Sequence, residues 1–253
     1  MNLFWAAFIK EIREQWRTYR LLVTVIVLSL FGLLSPLLAY FTPQILAAIP
    51  GGEALGELIP PPTVVDAIGQ YIKNLSQFAI LFAILLPMGS VSGEKERGTA
   101  ALVLSKPLPR GAFVLAKAAA FGLVFALSLL IAGLAGYYYT GLLFEFLPFD
   151  RWLAMNGLLW LYAMVYVGLT LLFSTISRSQ ALAAGLSFAV LLGLSVVGIS
   201  KTIAVYLPAQ LVTWSAVLFI QPGTTYWGSF WVSAGIGIVS LLAAWLIFRR
   251  QEL

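Results

Sequence analysis

The densest group of reactive side chains in this 253-residue sequence is Glu94-Lys95-Glu96-Arg97, set between Gly93 and Gly98-Thr99. Carboxylates and cations interleaved in this way make charge-assisted hydrogen bonds, which across an interface fix register and suppress wrong partners. Catalysis has less to work with. The sequence holds neither histidine nor cysteine, which removes the commonest general base, the commonest metal ligand and every thiolate reaction. Its only aspartates, Asp66 and Asp150, fall at or beyond one boundary of the apolar segments, so no aspartyl dyad forms within them. No Gly-x-x-x-x-Gly-Lys-Ser/Thr loop occurs to cradle a nucleotide phosphate. Serine, zinc and aspartyl intramembrane proteolysis and histidine-ligated haem are thereby excluded. The reading is of a chain with no catalytic, cofactor-binding or metal-binding residues of its own.

The elements that must position the charged motif are membrane helices. The chain is 61% hydrophobic and 10% charged, with mean hydropathy +0.96, where a soluble domain carries roughly 25% charged residues. A span needs about 20 apolar residues to cover some 30 Å of hydrocarbon. Six segments qualify, at about 21–41, 75–91, 118–140, 152–173, 181–199 and 227–248. With both termini cytoplasmic, Lys10, Arg13, Arg17, Arg20, Lys95, Arg97, Lys106, Arg110, Lys117, Arg178, Arg249 and Arg250 lie inside, and only Lys73, Arg151 and Lys201 outside. The net charge of +5 is thus a topology signal and calls for no nucleic-acid partner. On these bounds no span core contains an ionisable residue, which argues against ion-coupled transport. Residues 202–220 are apolar enough for a seventh span, but Pro208 interrupts them and a crossing would place Arg249 and Arg250 outside. They read as a re-entrant or interfacial segment on the outer side.

Four further stretches carry information. In residues 2–20, Trp5, Phe8, Ile9, Ile12, Trp16 and Tyr19 share one helical face and Lys10, Glu11, Arg13, Glu14 and Arg17 the other. That is an amphipathic interfacial helix, a simple anchor or an active part, and with it the N-terminus does not read as a cleavable signal. The external loop 42–74 holds Pro43, Pro50, Pro60, Pro61 and Pro62 and reads as a lid, a site for an extracytoplasmic partner, or a plain connector. The cytoplasmic loop 93–117 contains an apolar stretch, residues 100–104, too short to cross. It suits a brief helix starting near Thr99 that docks a soluble partner, with a solvated loop as the alternative. In the fifth span Ala181, Gly185, Ala189 and Gly193 recur at every fourth position, a ladder for close packing either between subunits or within one bundle.

The pattern Glu94-x-Glu96-x-Gly98-Thr99 directly after the second span, in a six-span layout with an amphipathic first helix and a short basic tail, resembles the ABC type-2 permeases. The likeness is to their single-chain prokaryotic branch, with its multicopper-enzyme-maturation, sodium-export and drug-export permeases. The resemblance implies an all-α membrane protein of the cytoplasmic (inner) membrane that works as the permease subunit of an exporter. It implies that Glu94, Glu96, Arg97, Gly98 and Thr99 contact a separate ABC ATPase subunit, which carries the ATP and Mg. A coupling helix spanning residues 100–105, with Leu102 and Ser105, would insert into that subunit, and Arg178 would add a smaller contact. A second permease copy or a related permease would complete the pathway. Two other readings stand beside it: an ATP-linked complex that transmits force to an extracytoplasmic protein, and a stand-alone channel or scaffold.

Overall fold

The computed structural model describes residues 3–49, 60–98 and 109–251, and every element among them is a helix. In chain order these are α1 (Leu3–Arg17), α2 (Arg20–Ala47), α3 (Val64–Leu85), α4 (Ser92–Glu96), α5 (Arg110–Leu143), α6 (Phe149–Ile176), α7 (Gln180–Val197), α8 (Lys201–Ala204), α9 (Ala209–Ile220) and α10 (Trp227–Arg250). Six of them, α2, α3, α5, α6, α7 and α10, are long and apolar enough to cross a membrane. The 34 residues of α5 reach about 51 Å at 1.5 Å per residue, so its ends stand well clear of a hydrocarbon core of about 30 Å.

α6 is the hub. It packs against α3, α5, α7, α9 and α10, and its buried residues, among them Met155, Leu158, Val165, Val167 and Leu171, do not fall on a single stripe. A helix apolar on every side is one that neighbours surround. Two of its indoles pair inside the bundle: Trp152 donates to the Gly133 carbonyl at 2.9 Å and Trp160 to the Gly122 carbonyl at 3.0 Å. The Tyr71 hydroxyl of α3 donates to Asn156 Oδ1 at 2.7 Å.

α2 packs most extensively on α5, and glycine makes the approach possible. A Cβ on Gly32 would lie 2.5 Å from the Ala132 carbonyl oxygen, and one on Gly136 would lie 2.6 Å from the Tyr71 ring and 3.1 Å from the Gly32 carbonyl oxygen. Pro36, one turn on from Gly32, has no N–H to bond that carbonyl. The helix is therefore open at the point where its backbone meets α5.

The second span differs from its expected bounds. It runs Val64–Leu85 rather than 75–91, and a turn follows at residues 86–91. Hydropathy alone misplaces it because its first three turns are amphipathic: Ala67, Ile68, Tyr71, Ile72 and Leu75 are buried, while Asp66, Gly69, Lys73 and Gln77 are exposed. The expectation that no span core contains an ionisable residue is corrected for this span, since Asp66 and Lys73 lie within α3. Of the stretch 42–74 expected as a loop, residues 42–47 and 64–74 are helical, and of the stretch 93–117, residues 110–117 are helical. The stretch 202–220 forms α8 and α9, of four and twelve residues, too short to cross. α9 packs on α6 and α3 through Leu211, Trp214 and Ser215.

Candidate functional site

The charged motif sits on α4, which is anchored by the turn between α6 and α7. Ser174 Oγ, from the end of α6, accepts the Val91 and Ser92 amides at 3.1 Å each and donates to the Met88 carbonyl at 2.8 Å. A side chain from another helix thus serves the first amides of α4, which otherwise lack partners. Gly89 and Gly93 are bare because Gln180 fills the space beside them: a Cβ would lie 2.5 Å and 2.8 Å from its side chain. Lys95 Nζ donates to the Thr175 carbonyl at 2.6 Å and to Gln251 Oε1 at 3.3 Å. Burial lowers the pKa of Lys95 below the ordinary lysine value. The Arg110 guanidinium holds the other side of this floor, donating to the carbonyls of Phe248, Arg249 and Gln251 at 3.1, 2.7 and 2.8 Å where α10 runs out of its own donors.

Glu94 turns inward. It is 5% exposed and meets Lys117 Nζ of α5 at 2.8 Å and Lys10 Nζ of α1 at 2.9 Å. Lys117, 1% exposed, also donates to both oxygens of Glu11 at 3.0 and 3.1 Å. Three separate elements, α1, α4 and α5, are thus joined by one buried ionic knot. Burial raises the Glu94 carboxyl pKa, but the Lys117 and Lys10 ammonium groups outweigh it and hold Glu94 below the usual carboxylate range. Burial likewise opposes the charge on Lys10, and Glu11 and Glu94 outweigh it, so its pKa stands above the ordinary lysine value. The carboxylates of Glu11, Glu14 and Glu94 approach within 4.8 Å of one another, a spacing that could suit a metal ion. Lys10 Nζ already lies 3.0, 3.6 and 2.9 Å from them, so the cation at that point is an ammonium group.

Past Glu94 the chain turns outward. Glu96, Arg97 and Gly98 are exposed, and Gly98 ends α4 at φ 68, the left-handed position that glycine takes without strain. Thr99, Leu102 and Ser105, and with them the stretch 100–105, lie outside the described residues. Arg178 is exposed on the turn that seats α4. The structure therefore places Glu94 inside the fold and Glu96, Arg97, Gly98 and Arg178 on its surface.

Several partners in this site escaped the sequence reading. Lys117 reads as the end of a loop and Glu11 as part of the charged face of the first helix, and the sequence does not mark Lys10, Ser174, Gln180 and Arg110 as partners of the motif. Two signals pointed to the first pair: a lone lysine set in the alanines Ala116, Ala118, Ala119 and Ala120, and Glu11 with Gln15 one turn apart. α1 buries those two residues, at 3% and 2% exposure, and turns Trp5, Ile9 and Trp16 away from the bundle. The ladder of α7 faces outward as well. Ala181, Gly185, Ala189 and Gly193 are exposed, and a Cβ on Gly185 or Gly193 would meet nothing within 4 Å. Between α6, α7 and the α8–α9 segment lies a cavity of about 360 Å³ whose polar lining is Tyr162, Tyr166, Ser195, Gln210 and Thr213.

The profile of the ABC-2 family transporter protein matches residues 5–227, which take in α1 to α9 and stop where α10 begins. The chain belongs to the ABC-2 family of transporter permeases. It is 28% identical over its full length to the transmembrane protein YxlG of Bacillus subtilis (strain 168), of which the alignment covers 99%. It is also 34% identical over 132 residues to a probable ABC transporter permease protein NosY of Pseudomonas aeruginosa, and 33% identical over 132 residues to that of Stutzerimonas stutzeri. These two alignments take in 52% of this chain and 43% of each NosY protein. ABC-2 permeases are in general non-catalytic subunits that dimerise and work with an ATPase. The six apolar helices are in keeping with that membership.

Proposed function

We propose that this chain is the membrane subunit of an ATP-driven exporter, and that a separate ATPase docks on the exposed end of α4 at Glu96, Arg97 and Gly98, with Arg178 beside it. The observation that carries the reading is the ionic knot at Glu94. A docking segment transmits a push only if it is fixed to what must move, and α4 is fixed to α1 and α5 by Glu94 and to α6 by Ser174. Closure of two ATPases beneath a permease pair then tilts the bundles between inward and outward access. ATP and Mg belong to the ATPase in this scheme. The gathering of α1, α4, the α6–α7 turn and the end of α10 at one basic end of the bundle supports a cytoplasmic position for both termini. The second permease copy fits the outward ladder of α7, where small residues allow backbones to approach in lipid. The pathway wall is the polar side of α3, exposed Asp66, Lys73 and Gln77 with half-buried Gln70, which spaced at three and four residues form one stripe that acyl chains cannot solvate.

Co-expression with an ABC ATPase from the same genome tests the docking. Reversing charge with Glu96→Lys and Arg97→Glu is expected to abolish co-purification and permease-stimulated ATP turnover while leaving the thermal unfolding midpoint unchanged. Undiminished assembly and turnover would overturn the assignment.

A further inference from the structure

α1 presents three stripes. Glu11 and Gln15 face the protein, Trp5, Ile9, Ile12 and Trp16 form the apolar stripe, and Lys10, Arg13 and Arg17 adjoin it. Lys10 is committed to Glu11, Glu14 and Glu94. Arg13 and Arg17 are exposed and form no ion pair with any described residue. They stand one helical turn apart, where like charges repel, and an anion between them would relieve that repulsion. Two shallow depressions share this pair, one also lined by Lys10, Glu14 and Thr18 and the other by Ile12 and Trp16. Trp16 is 64% exposed beside them. Tyr19, which joins α1 to α2, takes the left-handed conformation at φ 58 although it carries a Cβ, a strained state in a non-glycine residue. That elbow leaves the Tyr19 ring 68% exposed. Amphipathic aromatic rings left open beside a helix whose other faces are apolar and basic belong at the headgroup level of a membrane.

We propose that Arg13 and Arg17 bind the phosphate of an anionic phospholipid headgroup, with Trp16 and Tyr19 seated in the interface around it. The guanidinium groups supply paired donors in the fork geometry that phosphate accepts. Lipid on this face and the ionic knot on the other hold α1 between the bilayer and α4. The site is a property of the permease alone and stands apart from the ATPase docking.

Full-length protein in neutral detergent, supplemented with phosphatidylglycerol, phosphatidylcholine or inorganic phosphate, provides the test. Phosphatidylglycerol is expected to raise the thermal unfolding midpoint by several degrees and to saturate, with phosphatidylcholine and free phosphate giving no shift. Arg13→Gln with Arg17→Gln is expected to remove the difference, and Arg249→Gln with Arg250→Gln to keep it. An equal response in the first double variant and wild type would overturn the proposal, as would a wild type that does not distinguish the two lipids. Should that variant fail to fold, wild type alone decides: the shift must fade in high salt, and one indifferent to salt is not a headgroup contact. A response to free phosphate equal to that for phosphatidylglycerol would make the site a general anion site and refute the lipid assignment.

Discussion

Lys117 Nζ of α5 lies 2.8 Å from Glu94 Oε1 of α4, both side chains buried, so the charged motif is tied to a membrane helix before it reaches solvent. Removing one partner strands the other charge, at a cost of about 3–5 kcal/mol, whereas replacing both by neutral groups is often nearly neutral. Lys117→Met is therefore expected to lower thermal stability sharply. Lys117→Met combined with Glu94→Gln and Glu11→Gln should recover most of the loss, as measured by unfolding in detergent. Equal destabilisation by the single and triple variants would show that the knot is not coupled.

Acid should release α1. Glu94 titrates in the fold below its ordinary value of 4.5, so its ion pairs contribute fully above that value and are lost as pH falls through the lower folded one. Fluorescence of Trp5 and Trp16, compared with a Trp5→Phe, Trp16→Phe variant, is expected to be flat from pH 8 to pH 5 and to change only below pH 4.5. With no histidine in the chain, a transition near pH 6 would rule out control by this knot.

Glycine substitutions should separate two kinds of small residue. Gly136→Ala drives a methyl into the Tyr71 ring and the Gly32 carbonyl, and such overpacking costs about 1–3 kcal/mol. Gly185→Leu meets open space within the chain, so the monomer's unfolding midpoint should hold while cross-linking between permease copies falls. Lost monomer stability in Gly185→Leu would remove the case for α7 as a subunit contact.

The absence of cysteine makes α3 directly readable. Lys73→Cys and Gln77→Cys are expected to react with a membrane-impermeant maleimide in assembled vesicles, and Leu127→Cys, exposed on an apolar face of α5, is not. Protection of both α3 positions would place lipid or protein against the stripe and not a watery pathway.

Much of the architecture is legible because a bilayer imposes a simple rule on composition. Each lipid-facing helix must be apolar for about 20 residues, so the first, third, fourth, fifth and sixth spans follow from the chain read in order, as does the failure of residues 202–220 to form a span. α3 was misplaced because it is apolar on one side only, and a window average cannot distinguish a loop from a helix whose polar stripe faces away from lipid. The motif Glu94-Lys95-Glu96-Arg97 was visible as charge, but its division was not. Tertiary structure decided that Glu94 turns in toward Lys117 while Glu96 and Arg97 turn out, because burial of a charge depends on partners 23 and 106 residues apart in pairing with Lys117. Composition fixes which helices cross. Only packing decides which of their few charges meet, since ion pairs in a low-dielectric interior depend on ångström distances that a linear pattern does not carry.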